Sequence, residues 1–537
     1  MRKSSIFCGV LFISNVIISQ TSSISGIINV YTEVNSISGN TLVVSNSSSI
    51  TISDQVLIVQ MKGVSVNSAN SINYGSITSY NNCGKYEFAE VASVIGNSII
   101  LNAPLQRAYT PSGKVQLVRV PVYQNALVVG TLSCLPWNGS SGGILALRVC
   151  GMLTLNSNID VSGKGFRGGS VLTNSTQCFG DTTSYVESSL LQPNSYFAEK
   201  GEGVFLNGIT NDIGRGKNSN GGGGGNDING GGGGGANFGK GGRGGDFYGP
   251  ASCPANFVMQ TGGMAGEGLS YSNALSLVFM GGGGGAGHQN NNTSSNGGNG
   301  GGIVIIKASS ISGNGYSIYS EGTNVNFLPN SIDGQGGGGG GGSVLLDVNS
   351  VTALNVSIKG GYGGSDNYSG PDCHGKGGGG GGGVLWTSNQ LLNLSSQLIG
   401  GAAGVFLGSG SPFYNSSLNA TAGQGGANLS GLNLPGRIVV CDNEVGIKEI
   451  HEENGRLIVY PNPSNGYIKL SDVGVKILGP IKLKVLGPLG NLLLSFTFKN
   501  MEDLNEANIN IDSLESGTYF VILNSDLETH YTKLVIE

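Results

Sequence analysis

Three groups of side chains have the types and spacing that chemistry would need. Asp160, Lys164 and Arg167 stand close together, one acid with two bases, the raw material of a polysaccharide lyase or hydrolase. That chemistry requires a second carboxylate nearby, or a base beside carboxylates or calcium. Cys373-His374 is a pair of metal-ligand types, but no second pair lies near it and no C-x-x-C occurs, so neither a zinc finger nor a redox motif is supported. Gly241–Gly249, GGRGGDFYG, fits the nonapeptide calcium pattern once. Calcium rolls need tandem copies, and neighbours such as GGGGNDIN lack the apolar position. The expectation is therefore no catalytic constellation, no cofactor and no metal.

Whether Asp160 has acidic neighbours depends on the element that positions it, and that element is a repeat. GGILALRVCGMLTLNSNIDVSG is followed by GGGIVIIKASSISGNGYSIYSEG, GGGSVLLDVNSVTALNVSIKGG and GGGGVLWTSNQLLNLSSQLIGG. With Gly143, Gly302, Gly342 and Gly382 as starts, Leu145, Val304, Val344 and Val384 form one apolar column. Arg148, Lys307, Asp347 and Thr387 form a polar one, and Ile159, Ile318, Ile358 and Leu398 mark a second strand. Two short strands per unit cannot bury an apolar face alone, so they must stack, as in a parallel β-solenoid. In this alignment the column of Asp160 continues as Tyr319, Lys359 and Ile399, which gathers no acids.

Between the strand pairs lie pure glycine runs: Gly221–Gly225, Gly230–Gly235, Gly281–Gly285, Gly336–Gly342 and Gly377–Gly383. Glycine costs the most entropy to order, yet only glycine lets several backbones approach closely. The runs are either loose loops or packed polyglycine II helices. Their fixed place in the repeat favours packing, and the lack of a Gly-X-Y period excludes collagen.

Glycine makes up 97 of 537 residues, and charged residues only 11% where ~25% is usual. A net charge of −5 with no basic stripe argues against nucleic acid as a partner. The surface is instead rich in Ser, Asn and Thr, which suits an extracellular scaffold or a sugar-facing surface.

Met1–Ser19 reads as a secretory signal peptide: Arg2 and Lys3, then an apolar run ending in small residues. Residues 20–130 are expected to form a small β-barrel or sandwich. They contain a duplication, EVNSISGNTLVVSN at Glu33–Asn46 and EVASVIGNSIILNA at Glu90–Ala103, each a strand, a Gly-Asn turn and a strand. Residues 131–441 are the repeat body. Leu172–Phe205 and Asp246–Val278 interrupt it as insertions, and long insertions on one face of a solenoid are often its binding face. A last first strand is expected at Arg437–Cys441, after Gly436, and 442–456 reads as a charged linker. Export leaves seven cysteines, Cys83, Cys134, Cys150, Cys178, Cys253, Cys373 and Cys441, an odd number whose pairing stays open.

Two stretches resemble known families. VLIVQMKG, YEFAEV and VQLVRVPVY resemble an N-terminal region of large secreted proteins of the Bacteroidetes, with no activity attached. Residues 457–537 carry YPNPSNG, VLGPLGN, LESGTYFVIL and a terminal TKLVIE, and resemble the type A C-terminal sorting domain of type IX secretion substrates. The residues that carry this resemblance are Tyr460, Pro461, Asn462, Pro463, Gly466, Gly487, Gly490, Gly517, Tyr519 and Lys533. The resemblance implies a small antiparallel β-sandwich handled by the type IX machinery. It also implies that the domain is removed and the product released or attached to surface lipopolysaccharide at the outer membrane.

The expected protein is all-β, secreted and displayed on the cell surface, and structural or adhesive toward glycans or other cell surfaces. The competing expectation is a carbohydrate-active enzyme that uses the solenoid as its groove.

Overall fold

The structure, a computed structural model, describes residues 21–172, 181–186, 196–206, 213–249, 257–272, 275–368, 373–409, 414–438, 441, 456–473, 480–487, 491–524 and 529–537. The signal peptide, the linker up to residue 455, Cys178, Cys253 and Gly490 lie outside these residues. The chain divides into two compact units, Met1–Cys441 and Asp442–Glu537. Among the described residues the architecture is all-β, with one short α-helix, Met501–Glu506, and one 3-10 turn, Pro111–Gly113.

The body is built on parallel stacking. First strands Ile144–Leu155, Ile303–Ser312, Ser343–Thr352, Val384–Thr387 and Ala427–Leu429 lie side by side. Second strands Ile159–Asp160, Ser317–Tyr319, Leu354–Ser357 and Leu394–Gln397 form the adjoining stack. Both belong to one twelve-stranded sheet, which Asn125–Ser133 joins by pairing with strands of each stack. Leu145, Leu147, Val304, Ile306, Val344 and Leu346 point between the stacks, against Ile159, Ile318 and Val356. The opposite faces, Ile144, Ala146, Ile303, Ile305, Leu345 and Trp386, are buried too. Burial on both faces is why these strands read as continuous apolar runs instead of alternating.

Two registers differ from the repeat read in the sequence. The glycine run before the third unit ends at Gly342 and the run before the fourth at Gly383, one residue later than a strict forty-residue period allows. The run's end sets the register, so Val344 pairs with Leu385 and Leu346 with Thr387. In the third unit the turn is two residues shorter, because Ser312 pairs with Thr352 while Ser317 pairs with Asn355. The second column is therefore Ile159, Ile318, Val356 and Ser396. A two-residue shift keeps the apolar side inward for Val356. The last first strand among the described residues is Ala427–Leu429; residues 439 and 440 of the expected strand Arg437–Cys441 lie outside them. Gly436 instead abuts the N-terminal barrel, where Arg437 N–H donates to the Phe88 carbonyl at 2.8 Å.

That barrel is closed, in the order Val30–Ser38, Thr41–Val44, Ser98–Leu101, Tyr86–Ile95, Gln55–Gln60, Val115–Arg119. The duplication explains part of its closure. Leu42 pairs with Ile99, its own counterpart 57 positions on, so the two duplicated hairpins meet each other. Both copies carry the same bulge, at Val34/Ser36 and Val91/Ser93. Thr21–Ile27 and Asn125–Ser133 lie outside the barrel and pair with each other in the solenoid sheet. The barrel is thus inserted into the solenoid's first turn. Its Leu57, Val59, Tyr86, Phe88 and Val118 share one core with the outer face of the first strands.

The glycine runs pack as polyglycine II helices. Consecutive N–H groups of one run donate to three different neighbours: Gly233 to Gly223 (2.8 Å), Gly234 to Gly242 (2.8 Å) and Gly235 to Gly338 (2.9 Å). Ala236 then returns to the first neighbour at Asn220. A threefold repeat of direction is what a three-residue turn requires. The third repeat run behaves alike, with Gly337 donating to Gly285, Gly338 to Gly378 and Gly339 to Thr323. A β-carbon at Gly234 would sit 2.0 Å from the Gly379 carbonyl oxygen, so no other residue fits there. The long excursion between the first and second units supplies the extra helices. Ile144 stacks directly on Ile303, while 213–249 and 257–272 contribute polyglycine II runs and contacts to the barrel.

Candidate functional site

The side chains with catalytic potential are not brought to one centre. Asp160 Oδ1 accepts from Ser162 N–H at 2.8 Å, closing its own turn. Its observed column is Asp160, Tyr319, Ser357 and Gln397, again without a second acid. Arg167 Nε is bound to Glu202 at 2.9 Å, and Lys164 offers its backbone carbonyl to Trp137 N–H at 2.9 Å. Glu202, absent from the sequence expectations, is the hub of the seam between barrel and solenoid. It takes Lys62 at 2.6 Å and the Trp137 indole at 2.9 Å as well as Arg167. Burial pushes its carboxyl upward, but Lys62, Arg167 and Trp137 more than offset that and hold it at about 2. Nothing in the sequence pattern links these four positions.

The motif-like pairs are structural as well. His374 is buried, with ring centroids 5.3 Å from Tyr368 and 5.9 Å from Phe247. Burial and then the charge of Lys376 push its imidazole down to about 3. Asp246 of GGRGGDFYG is held by Arg243 Nη1 (2.8 Å), Gly262 N–H (3.1 Å) and Asn419 Nδ2 (3.1 Å), while Gly241–Gly245 join the polyglycine layer. Among the described residues no group of three or more His, Cys, Asp or Glu could hold a metal ion. Cys150 and Cys441 form a disulfide, and Cys83 and Cys134 are buried thiols. At their ends the two insertions meet the N-terminal region, where Val64 bridges to Phe205 and Val278 N–H donates to the Gly84 carbonyl at 2.9 Å; residues 173–180, 187–195 and 250–256 lie outside the described residues.

One concave surface of the body lies on the outer side of the second strands. A groove there is lined by Ser317, Tyr319, Asn355, Val356, Ser357, Lys359, Ser395 and Gln397. Strict parallel register makes columns of it: Ser317, Asn355, Ser395 and Tyr319, Ser357, Gln397. Neighbouring members of a column stand one strand spacing apart, about 4.8 Å. The lining holds hydroxyls, amides, one phenol and one ammonium. Glu321 beside it is engaged by Lys359 at 3.3 Å and by the Ser357 hydroxyl. A hydroxyl-and-amide ladder with an aromatic flank can hydrogen-bond and stack on a sugar chain.

In the C-terminal unit the described motif residues are drawn to one end of a two-sheet sandwich. The sheets are Arg456–Tyr460, Tyr467–Val473, Ile509–Asn510 and Leu492–Phe498, Ile481–Leu486, Gly517–Asn524, Thr529–Ile536. They enclose Val459, Ile468, Leu470, Leu483, Val485, Val521 and Leu534. Pro461 and Pro463, both preceded by cis peptide bonds, turn the chain away from its first strand. Asn462 then clamps the C-terminal strand, accepting from Val535 N–H (2.8 Å) and donating to the Lys533 carbonyl (2.7 Å). Gly517 pairs with Ile536 and Tyr519 with Leu534, and the Tyr519 hydroxyl donates to the Glu515 carbonyl at 2.6 Å. Leu486 opposite Phe520 brings Gly487 to the same end, where a β-carbon would meet Asn491 Oδ1 at 2.7 Å. A β-carbon at Gly466 would lie 2.7 Å from Asp512 Oδ1.

Comparison with known proteins bears on this unit most directly. Residues 458–537 match the family described as Secretion system C-terminal sorting domain. No curated protein matches the chain. Among solved structures the chain is similar to the Gp54 tailspike of Acinetobacter baumannii bacteriophage AP22, solved in complex with A. baumannii capsular saccharide, at 10% identity and a TM-score of 0.13. That match covers 72% of this chain and 58% of the tailspike. The C-terminal unit is a secretion-system sorting domain, and the chain is a type IX secretion substrate destined for the cell surface or the extracellular space.

Proposed function

We propose that the exported body serves as a rigid adhesive or structural element at the cell surface, and not as an enzyme. The observation that carries this reading is the polyglycine II layer, whose runs are each tied to several neighbours by backbone hydrogen bonds along three directions. Such a slab resists deformation, which suits a load-bearing element better than the moving parts that catalysis commonly uses. The groove on the second strands supports an adhesive role toward glycans, since its lining is mostly hydroxyls and amides and the carboxylate beside it, Glu321, is tied to Lys359 and Ser357. After removal of the sorting domain the body would be held by surface lipopolysaccharide or released.

The test is a binding and turnover assay on the full chain purified from a type IX secreting host, with an array of intact polysaccharides. Retention of a polysaccharide without shortening it is the expected result, weakened when Tyr319 and Asn355 are replaced by alanine. Release of oligosaccharides, or unsaturated products, would replace this reading with the enzymatic one.

A further inference from the structure

Two of the buried lysines, Lys200 and Lys376, stand in opposite situations. Lys200 is 4% exposed, and its ammonium donates to three carbonyls, those of Tyr185 (2.6 Å), Gly214 (2.7 Å) and Gly216 (2.7 Å). That is the full solvation a buried ammonium needs. Lys376 is 0% exposed, and among the described residues its one hydrogen-bond acceptor is the carboxylate of Asp366, itself 0% exposed. The other side of Nζ faces the Phe406 ring, 3.5 Å from its centroid. Asp366 is little better served, with Oδ1 accepting from Tyr368 N–H at 3.1 Å. A fully buried ion pair with so few supporting bonds is costly to keep charged.

The position of the pair is equally specific. Asp366 follows the run Gly360–Gly364, and Lys376 directly precedes Gly377–Gly383. These runs are antiparallel neighbours, with Gly377 donating to Gly364 (3.1 Å), Gly380 to Gly361 (2.8 Å) and Gly383 to Ile358 (3.0 Å). Asp366 also sits in a short parallel ladder between Leu328 and Phe406, which fixes its backbone. Amine and carboxyl are thus held in contact, in the dark of the protein, at the open end of two polyglycine II helices.

We propose that Lys376 and Asp366 are joined by an intramolecular amide bond that forms without any enzyme once the body folds. Proton transfer from the ammonium to the carboxylate gives a neutral amine and a neutral acid, the forms that burial favours. Burial pushes the Lys376 ammonium down to about 8 and the Asp366 carboxyl up, both toward that neutral pair. The amine nitrogen attacks Cγ of Asp366, a C–N bond forms, and the C–O bond breaks. The hydroxyl leaves with an amine proton as water, so nothing is oxidised or reduced. Held contact of this kind supplies the effective molarity that lets an otherwise slow condensation proceed. The product removes two buried charges and closes the pair of helices covalently. The Phe406 face and the loss of bulk water protect it from hydrolysis.

Mass spectrometry of the full chain, reduced and denatured, decides the matter. The wild-type chain is expected to be lighter by one water than its sequence requires, and Lys376→Arg to carry its full sequence mass. Trypsin is expected to leave the bond after Lys376 uncut in the wild type and to cut it in Asp366→Ala. Both readouts are made on denatured protein, so neither depends on the variants being stable. A wild-type chain at full sequence mass, cut after Lys376, would leave an ordinary buried ion pair. An uncut bond that persists in Asp366→Ala would exclude Asp366 as the partner.

Discussion

The carbonyl oxygen of Gly339 lies 1.9 Å from the point that a β-carbon on Gly380 would occupy. Gly339 is tight in turn, with the Asn299 carbonyl oxygen 1.9 Å from its own β-position. Replacing Gly339 and Gly380 by alanine forces backbones apart at each site. The expected cost is about 1–3 kcal/mol per site. The gain of ~0.4–1 kcal/mol from a stiffer unfolded chain does not offset it. Thermal melts of the full chain should show the body's transition lowered, and a raised midpoint would mean the runs are not packed.

Cys150 and Cys441 close a loop with a sequence separation of 291, joining the first coil to the end of the body. Replacing both with serine is expected to destabilise the body by roughly 2–5 kcal/mol, the upper part of the usual range, because the loop is long. Denaturant unfolding with and without reductant measures this. The mutant should lose its sensitivity to reductant.

Acid should weaken the body through two groups acting in the same direction. Glu202 is held at about 2, below its ordinary 4.5, so its contribution is complete above that ordinary value and is lost as pH falls toward 2. His374 is kept neutral down to about 3, so the unfolded chain gains a proton below pH 6.5 that the folded one refuses. Stability should therefore fall from about pH 6.5 downward. Glu202→Gln should lower stability at pH 7 and flatten the part of that slope between about 4.5 and 2.

In the sorting domain, Asn462→Ala removes both hydrogen bonds that hold the last strand. The site is exposed, so the loss should be modest, about 0.5–1.5 kcal/mol per bond. Hydrogen exchange at Val535 should rise more than at Val521 in the next strand.

Much of this was legible in the sequence because apolar columns record stacking. The strand pairs, the solenoid and the barrel's duplicated hairpins all leave a period. The one-residue slip at Val384 is written only in where the glycine run ends, at Gly383, and the two-residue slip at Val356 in a shorter turn that no side-chain pattern marks. The excursion before Gly302 carries no period because polyglycine II neighbours are chosen by backbone hydrogen bonds across long separations, as between Gly235 and Gly338. The Glu202 hub, the Cys150–Cys441 pairing and the Lys376–Asp366 pair unite residues that only the folded backbone brings together.

The most direct test of the account is the location of a chain truncated before Leu457 in a type IX secreting host. Surface proteolysis and fractionation would be compared with the full chain. The account predicts that the full chain reaches the outside, while the truncated one accumulates in the periplasm with its disulfide formed and its body protease-resistant. Surface display of the truncated chain at the level of the full one would contradict it.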